Sequence, residues 1–140
     1  MPYTLKHKEN NGGVIASYSG KVTEKELQQC LEEKLLLGDK NMSHKKTGVP
    51  LYFIRDFAET TNFDVSVETV KLSATLYKAL MEVNETVLIA VVAPNDHEFG
   101  MARLWHAYIG IQDERANVFR TREAASNWIV QTLFLPKKSI

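Results

Sequence analysis

The side chains that could hold a metal ion or act as a nucleophile are scattered along the sequence. His97-Glu98 begins like the zinc-binding motif His-Glu-x-x-His, but Met101 stands where the second histidine is required. His106 lies nine residues after His97 on one predicted helix, which places the two rings on opposite sides of it. The one cysteine, Cys30, falls on the apolar stripe of another predicted helix, where a small buried side chain is the usual role. We therefore predict no catalytic residue, no metal site and no cofactor.

One group of polar residues supports a binding hypothesis because of where it falls in the predicted sheet. Arg55 and Asp56 follow one apolar strand, and Asn95 follows another. Ligands and partners of open α/β sheets gather beyond the carboxyl ends of the parallel strands. The predicted binding rim at this edge consists of Arg55, Asp56, Asn62, Asp64, Ser66, Asn95, Asp96 and His97. The alternative is that each of these residues serves locally as a helix cap or turn former.

An alternating order of strands and helices must position that rim. Apolar residues at 51–54 predict a short strand, and a loop at 59–64 follows it. The unbroken apolar run at 87–93 predicts a central strand that is covered on both faces. Two alternating stretches joined by Asn-Asn-Gly-Gly at 10–13 predict an N-terminal antiparallel hairpin. The predicted order β-β-α-β-α-β-α-β-α requires crossovers, so we expect a mostly parallel sheet of the α/β class.

Four helices are predicted between and after these strands. Their expected spans are from Thr23 to about 37, from Ser66 to about 82, from Asn95 to about 109, and from Thr121 to about 131, with the first-named residue of each at the N-cap position. A polar loop at 38–49 follows the first helix. The apolar tail at 133–136 is expected to pack back onto the domain.

The second and third predicted helices carry more apolar surface than a helix on one side of a sheet needs. On the second helix, Tyr77 belongs to one apolar stripe, and Leu72 and Leu76 belong to another. The residues assigned to an interface or to an apolar-ligand surface are Tyr77, Met101, Leu104, Trp105 and Tyr108. Three explanations stay open: the helices cover each other, a second subunit covers them in a symmetric dimer, or an apolar ligand lies beneath them.

Composition limits the class of protein and the kinds of partner. A length of 140 residues fits one domain, residues 1–140. Lys+Arg and Asp+Glu are equal at 17 each, so the basic excess typical of a nucleic-acid binder is missing. A single cysteine allows no intramolecular disulfide, which favours a reduced, cytoplasmic compartment. The longest apolar run, 87–94, is too short to span a bilayer, and residues 1–6 do not follow the signal-peptide pattern.

Three segments of the sequence carry patterns of a known family. An apolar strand leads into Arg55-Asp56, and the central strand leads into a helix that carries Met101-Ala102-Arg103. Residues 118–129 form a strand-turn-helix pattern. Together these segments resemble the SpoIIAA-like branch of the STAS superfamily, and the last is typical of that family's C-terminus. The resemblance implies a mixed sheet of four or five strands with its helices on one side. It also implies a regulatory or binding module rather than an enzyme.

In the anti-sigma-factor antagonists of that superfamily, a phosphorylatable Ser or Thr sits in an Asp-Ser-Ser/Thr-Gly-like turn. The equivalent region here, residues 62–66, has neither the tandem hydroxyls nor the glycine. This departure argues against partner switching controlled by a kinase. Ser66 is better explained as a helix N-cap, because its hydroxyl can accept a hydrogen bond from an amide of the first turn.

We therefore expect a STAS-like α/β domain that acts as a non-catalytic binding or regulatory module. It is expected to form a homodimer and to make protein contacts along its second and third helices. The alternative is a small carrier that holds a lipid or other apolar metabolite in a pocket between those helices and the sheet.

Overall fold

The computed structural model describes residues 3–8, 13–29, 52–83, 87–110 and 114–134. Within them, five strands form one sheet in the order β1-β2-β3-β4-β5. The strands are β1 (Tyr3–Lys8), β2 (Gly13–Thr23), β3 (Tyr52–Asp64), β4 (Leu88–Val92) and β5 (Ala116–Phe119). The helices are residues 24–29, which are the described part of α1, then α2 (Val67–Val83), α3 (Asp96–Ile109) and α4 (Arg122–Ile129), the last continued by a π-helical turn at Val130–Phe134.

The sheet is mixed, with a parallel majority. β1 pairs antiparallel with β2, so that Tyr3 lies opposite Tyr18 and Lys8 lies opposite Gly13. Each remaining pair, from β2 to β5, is parallel. Residues 9–12, which connect β1 to β2, lie outside the described residues.

The central strand β4 is covered on both faces, as the sequence predicts. All of its residues are buried. Ile89 and Val91 belong to a core cluster that includes side chains of α1, α2 and α3. The alternate residues Leu88 and Ala90 belong to a second cluster that includes side chains of α4. Because successive strand residues point to opposite faces, this run forms part of two separate cores.

The expectation of helices on one side of the sheet is wrong. Ala125 and Ile129 of α4 pack on the face opposite to α2 and α3. Every step from β2 to β5 moves one strand in the same direction across the sheet. Right-handed crossovers that all step the same way place their helices on one face. No described strand follows α4, so that rule does not apply to it and it can cover the other face.

Strand β3 is longer than predicted, and the predicted loop at 59–64 is wrong. Its pairing with β4 ends at Asp56, opposite Val92. Its pairing with β2 continues until Asp64 lies opposite Thr23, across two register shifts. The sequence did not indicate a strand here because the stretch is mostly polar. Beyond Asp56, β3 pairs with β2 and not with β4, and most of its residues are exposed. Thr60, which is β-branched, is the local feature that favours a strand there.

The predicted helix starts are confirmed for two caps and corrected for a third. Thr69 N donates to Ser66 Oγ at 3.2 Å, and Ala124 N donates to Thr121 Oγ1 at 3.1 Å. Asn95 occupies the N-cap position of α3, but its side chain makes no capping hydrogen bond. In the part of the chain that the structure describes, no helix combines the length and the apolar composition that crossing a bilayer requires.

Several predictions fall on residues outside the described ranges: the burial of Cys30, the loop at 38–49 and the end of the apolar tail at 135–136. Of the tail, Leu133 packs against the cluster beneath α4.

Gly13 should be intolerant of any side chain, because it pairs directly with Tyr52 across β2 and β3. A Cβ at this glycine would lie 2.0 Å from the Tyr52 ring, which is itself buried. We expect Gly13→Ala to lower the free energy of unfolding by about 1–3 kcal/mol in urea denaturation, the usual effect of overpacking. Gly100→Ala is the matched control, since nothing lies within 4 Å of its added Cβ. That change should stabilise the protein by about 0.4–1 kcal/mol, as expected in a helix. Equal stability of the two variants would contradict the tight approach of Tyr52.

Candidate functional site

The strand alternation of β3 sends the two residues at the centre of the predicted rim to opposite faces. Arg55 points toward α2 and α3, where it contacts Ser73. Asp56 points toward α4, where it contacts Arg122. The two side chains therefore do not share one binding edge, and each has its own surroundings.

Asp56 holds the start of α4 against the sheet. Its Oδ2 accepts a hydrogen bond from Arg122 Nη1 at 2.8 Å, and its Oδ1 accepts one from Ala58 N at 2.9 Å. The carboxylate is largely buried, whereas the arginine is partly exposed. Both carboxylate oxygens are thus engaged in contacts within the chain: the contact with Ala58 is local, whereas the one with Arg122 joins distant segments.

The residues that follow β4 also make contacts within the chain. Arg120 Nη1 donates to Asp96 Oδ1 at 2.7 Å and to Pro94 O at 3.1 Å, so it joins the end of β5 to the start of α3. The same guanidinium lies 3.9 Å from the centre of the Phe99 ring. Asn95 is exposed beside them. This group lies at the surface, where an ion pair adds little stability.

His97, Asn62, Asp64 and Ser66 complete the predicted rim. His97 Nε2 lies 3.1 Å from Phe63 O, a distance at which the ring nitrogen donates to the carbonyl. Asn62 and Asp64, near the end of β3, are exposed, and Ser66 caps α2. In the described part of the chain, no three His, Cys, Asp or Glu side chains lie close enough together to hold a metal ion.

Arg55 is the rim residue with an unusual environment. It is buried beneath α2 and α3, and its Nη1 donates to Ser73 Oγ at 3.2 Å. Its guanidinium carbon lies 4.9 Å from the Tyr77 ring centre, 5.7 Å from that of Trp105 and 5.8 Å from that of Phe57. Aromatic rings stabilise a buried guanidinium through their negative faces, so the structure surrounds this cation with favourable partners.

Next to Arg55 lies a pocket between the sheet and the helices α1, α2 and α3, which we call the inner pocket. Its apolar walls include Leu27, Phe57, Phe63, Val70 and Met101, and its polar side chains are Arg55, Ser73, Glu98 and Trp105. The pocket opens to solvent, and its space is about 370 Å³ with the solvent at its mouth included. Thr69 Oγ1 donates to Glu24 Oε2 at 2.6 Å, which links the starts of α2 and α1 beside this pocket.

Glu98 is the functional candidate that sequence reasoning missed. It is 6% exposed, and its Oε2 has no hydrogen-bond partner. It lies on the buried stripe of α3, which continues through Ala102, Trp105 and Ile109. The available signal was the spacing of four, three and four residues along this stripe, in which Glu98 is the one charged member. Because a charged side chain is normally exposed, Glu98 was not recognised as a member of this buried stripe.

The five apolar residues assigned to an interface or ligand surface separate into three environments. Tyr77 and Trp105 are buried and meet edge to face, with ring centres 5.8 Å apart. Met101 and Leu104 are half-buried and pack against the same core. Tyr108 is 39% exposed, with the Lys71 ammonium 5.2 Å from its ring centre. Packing within the core therefore accounts for four of these five side chains, and Tyr108 alone of the five lies exposed.

The fold resembles that of a solved structure across almost the entire chain. The match is to "Structure of the Anti-Sigma Factor Antagonist SpoIIAA in its Unphosphorylated Form", with a TM-score of 0.59 over 94% of this chain and 99% of that one. The chain shares the fold of SpoIIAA. The two sequences are 11% identical, so this similarity concerns the fold and not the site residues. No protein-family model matches the sequence, and no curated protein matches it.

Two aspartate–arginine pairs offer a matched comparison of a buried and an exposed contact. Asp56→Ala removes two hydrogen bonds from a buried carboxylate, so the free energy of unfolding should fall by about 1–3 kcal/mol. Asp96→Ala removes the exposed partner of Arg120, and the loss should stay below about 1 kcal/mol. Chemical denaturation of both variants tests this order. A larger loss for Asp96→Ala would mean that the surface pair, and not the α4 contact, stabilises this end of the sheet.

Proposed function

We propose that this protein is a non-catalytic binding and regulatory module that acts through protein–protein contacts. Its fold supports this proposal, since the structure it matches is that of an anti-sigma factor antagonist. The observation that carries the proposal is apolar surface left exposed on the helix layer. Among the described residues of this layer, the large exposed apolar side chains are Val67, Leu72 and Leu76 of α2 and Tyr108 of α3.

Helix α2 presents the clearest surface of this kind. Its inner stripe, with Val70, Tyr77 and Met81, is buried in the core. Leu72 and Leu76, one turn apart, are 45% and 40% exposed beside a groove formed with α1. A helix that packs on a sheet needs one apolar stripe, so a second apolar edge is consistent with a protein contact.

The partner we propose for this surface is a second copy of the chain. In a symmetric dimer, the same patch of each subunit meets its counterpart, so one short apolar edge is used twice. The formal net charge of the chain is zero, and two copies therefore approach each other without net electrostatic repulsion. The proposed dimer contact lies along Leu72 and Leu76, since Trp105 and Tyr77 are directed into the core.

The alternative of a carrier for a lipid or other apolar metabolite is less well supported. The inner pocket lies where such a ligand would bind, but Arg55 and Glu98 are buried in its walls. An acyl chain offers no hydrogen bond to Glu98 Oε2, so binding it would leave a buried carboxylate oxygen without a partner. The polar walls of the inner pocket therefore favour a ligand that has polar groups of its own.

Size-exclusion chromatography with light scattering tests the dimer. The wild type should elute as a dimer, and Leu72→Glu/Leu76→Glu should elute as a folded monomer, because two charges would be buried without partners in the contact. Ala124→Glu/Asn127→Glu is the matched control, which adds the same charge at exposed positions of α4 on the opposite face. Circular dichroism should show unchanged helix content in both variants. A monomeric wild type, or a dimer that survives the Leu72 and Leu76 changes, would overturn the proposed contact.

A further inference from the structure

We infer that the inner pocket is a binding site for a small, uncharged molecule with an apolar ring or chain, one hydrogen-bond donor and one hydrogen-bond acceptor. This inference goes beyond the proposed protein contact and does not depend on it. Leu72 and Leu76 do not line the inner pocket, so the two surfaces can be tested separately.

Two side chains that line the pocket each carry a buried polar atom with no hydrogen-bond partner within the protein. Glu98 Oε2 and Trp105 Nε1 are both in this state, on side chains that are 6% and 2% exposed. Leaving a buried donor or acceptor unsatisfied is unfavourable, so such atoms in a native protein require a partner from outside the chain. Both atoms belong to side chains that line the same pocket, and one bound molecule can therefore satisfy them together.

The chemistry of those two groups sets what the ligand must carry. A carboxylate oxygen only accepts, so the ligand atom at Glu98 must be a hydroxyl or an N–H group. An indole N–H only donates, so the ligand atom at Trp105 must be an acceptor such as a carbonyl oxygen. The two residues are seven positions apart on α3, which separates their α-carbons by about 10 Å along the helix axis. The donor and the acceptor of the ligand therefore occupy separate positions on the molecule.

The charges of the pocket favour a neutral ligand. Arg55 and Glu98 line it together, so its wall carries one positive and one negative side chain. A cationic ligand is attracted by the carboxylate but repelled by the guanidinium, and an anionic ligand meets the reverse, so neither charge is favoured by the pair. An uncharged molecule leaves this balance unchanged.

The size and walls of the pocket limit the apolar part of the ligand. The space of about 370 Å³ includes open solvent at the mouth, so only a small apolar group fits between the walls. Phe57 and Phe63 of β3, with Met101 of α3, give walls suited to a single ring or a short chain. This combination of apolar walls and a few buried polar groups is typical of a binding site for a small metabolite.

The indole N–H resonances of the two tryptophans give a direct test. Nicotinamide, 4-hydroxybenzamide and 4-(hydroxymethyl)benzamide serve as probes, since each carries a neutral donor and a neutral acceptor at separate positions on one ring. At least one should shift the Trp105 indole resonance in a saturable manner in ¹H–¹⁵N spectra of the wild type. The Trp128 indole, on α4 at the other face of the sheet, should not move, and Trp128→Phe assigns the two signals.

Glu98→Gln separates a ligand role from a structural one. It should weaken binding of the probe about tenfold or more, because the charged acceptor is lost. The same variant without ligand should melt at the same temperature as the wild type or higher, since a buried carboxylate with an unsatisfied oxygen is removed. Glu123→Gln, the same change at an exposed position of α4, should alter neither quantity.

Each other outcome overturns the inference. If none of the three probes shifts Trp105 up to its solubility limit, the unpaired atoms are satisfied by water alone. If toluene binds as tightly as the probes and Glu98→Gln has no effect, the pocket is an apolar cavity without polar recognition. If octanoate binds and the probes do not, the pocket binds an acyl chain, and this result supports the alternative function as a carrier of a lipid or other apolar metabolite. A lowered melting temperature of Glu98→Gln with unchanged probe affinity would assign Glu98 a structural role.

Discussion

The rest of the structure depends on a central strand that has no polar face. All of β4 is buried, with Ile89 and Val91 in one core and Leu88 and Ala90 in the other. A sheet built around such a strand is stable only when both faces are covered, because each exposed apolar face would lose the free energy of its burial. The crossover helices cover one face by virtue of their handedness, and α4 must cover the other. The contact between Asp56 and Arg122 then fixes the start of α4 at the strand end.

The same alternation of strand residues determines on which face of the sheet the central residues of the predicted rim lie. Arg55 and Asp56 are neighbours in sequence, yet they lie on opposite faces and in different surroundings. Arg55 is buried among aromatic rings beneath the helix layer, where those rings and Ser73 take the place of water around its guanidinium. The polar residues predicted to form one rim therefore separate. Asp56 and Asp96 make contacts within the chain, whereas Arg55 lines the inner pocket.

What could be predicted of the candidate site follows from how local each residue's role is. Ser66 and Thr121 were recognisable as helix caps, because a cap bonds to an amide a few residues away. Arg55 was identified by its place after a strand, but its burial was not predicted. Glu98 was missed altogether, since a charged residue on a helix is normally exposed and its burial depends on what packs against that helix. Sequence spacing marks the stripe of a helix, whereas the elements that cover the stripe come from distant parts of the chain.

The amino-acid sequence by itself determined the α/β class, the order of the described strands and helices, the two-sided burial of β4 and the caps of α2 and α4. These features follow from periodicity, crossover rules and bonds between near neighbours, all of which are local. Only the tertiary structure decided that β3 continues to Asp64, that α4 lies on the opposite face and that Glu98 and Trp105 line one pocket. Each of these depends on a partner far away in the chain, namely the second strand of a ladder, the far face of the sheet or a neighbouring helix. A pattern of neighbouring residues in the sequence does not indicate which distant segment will pack against it.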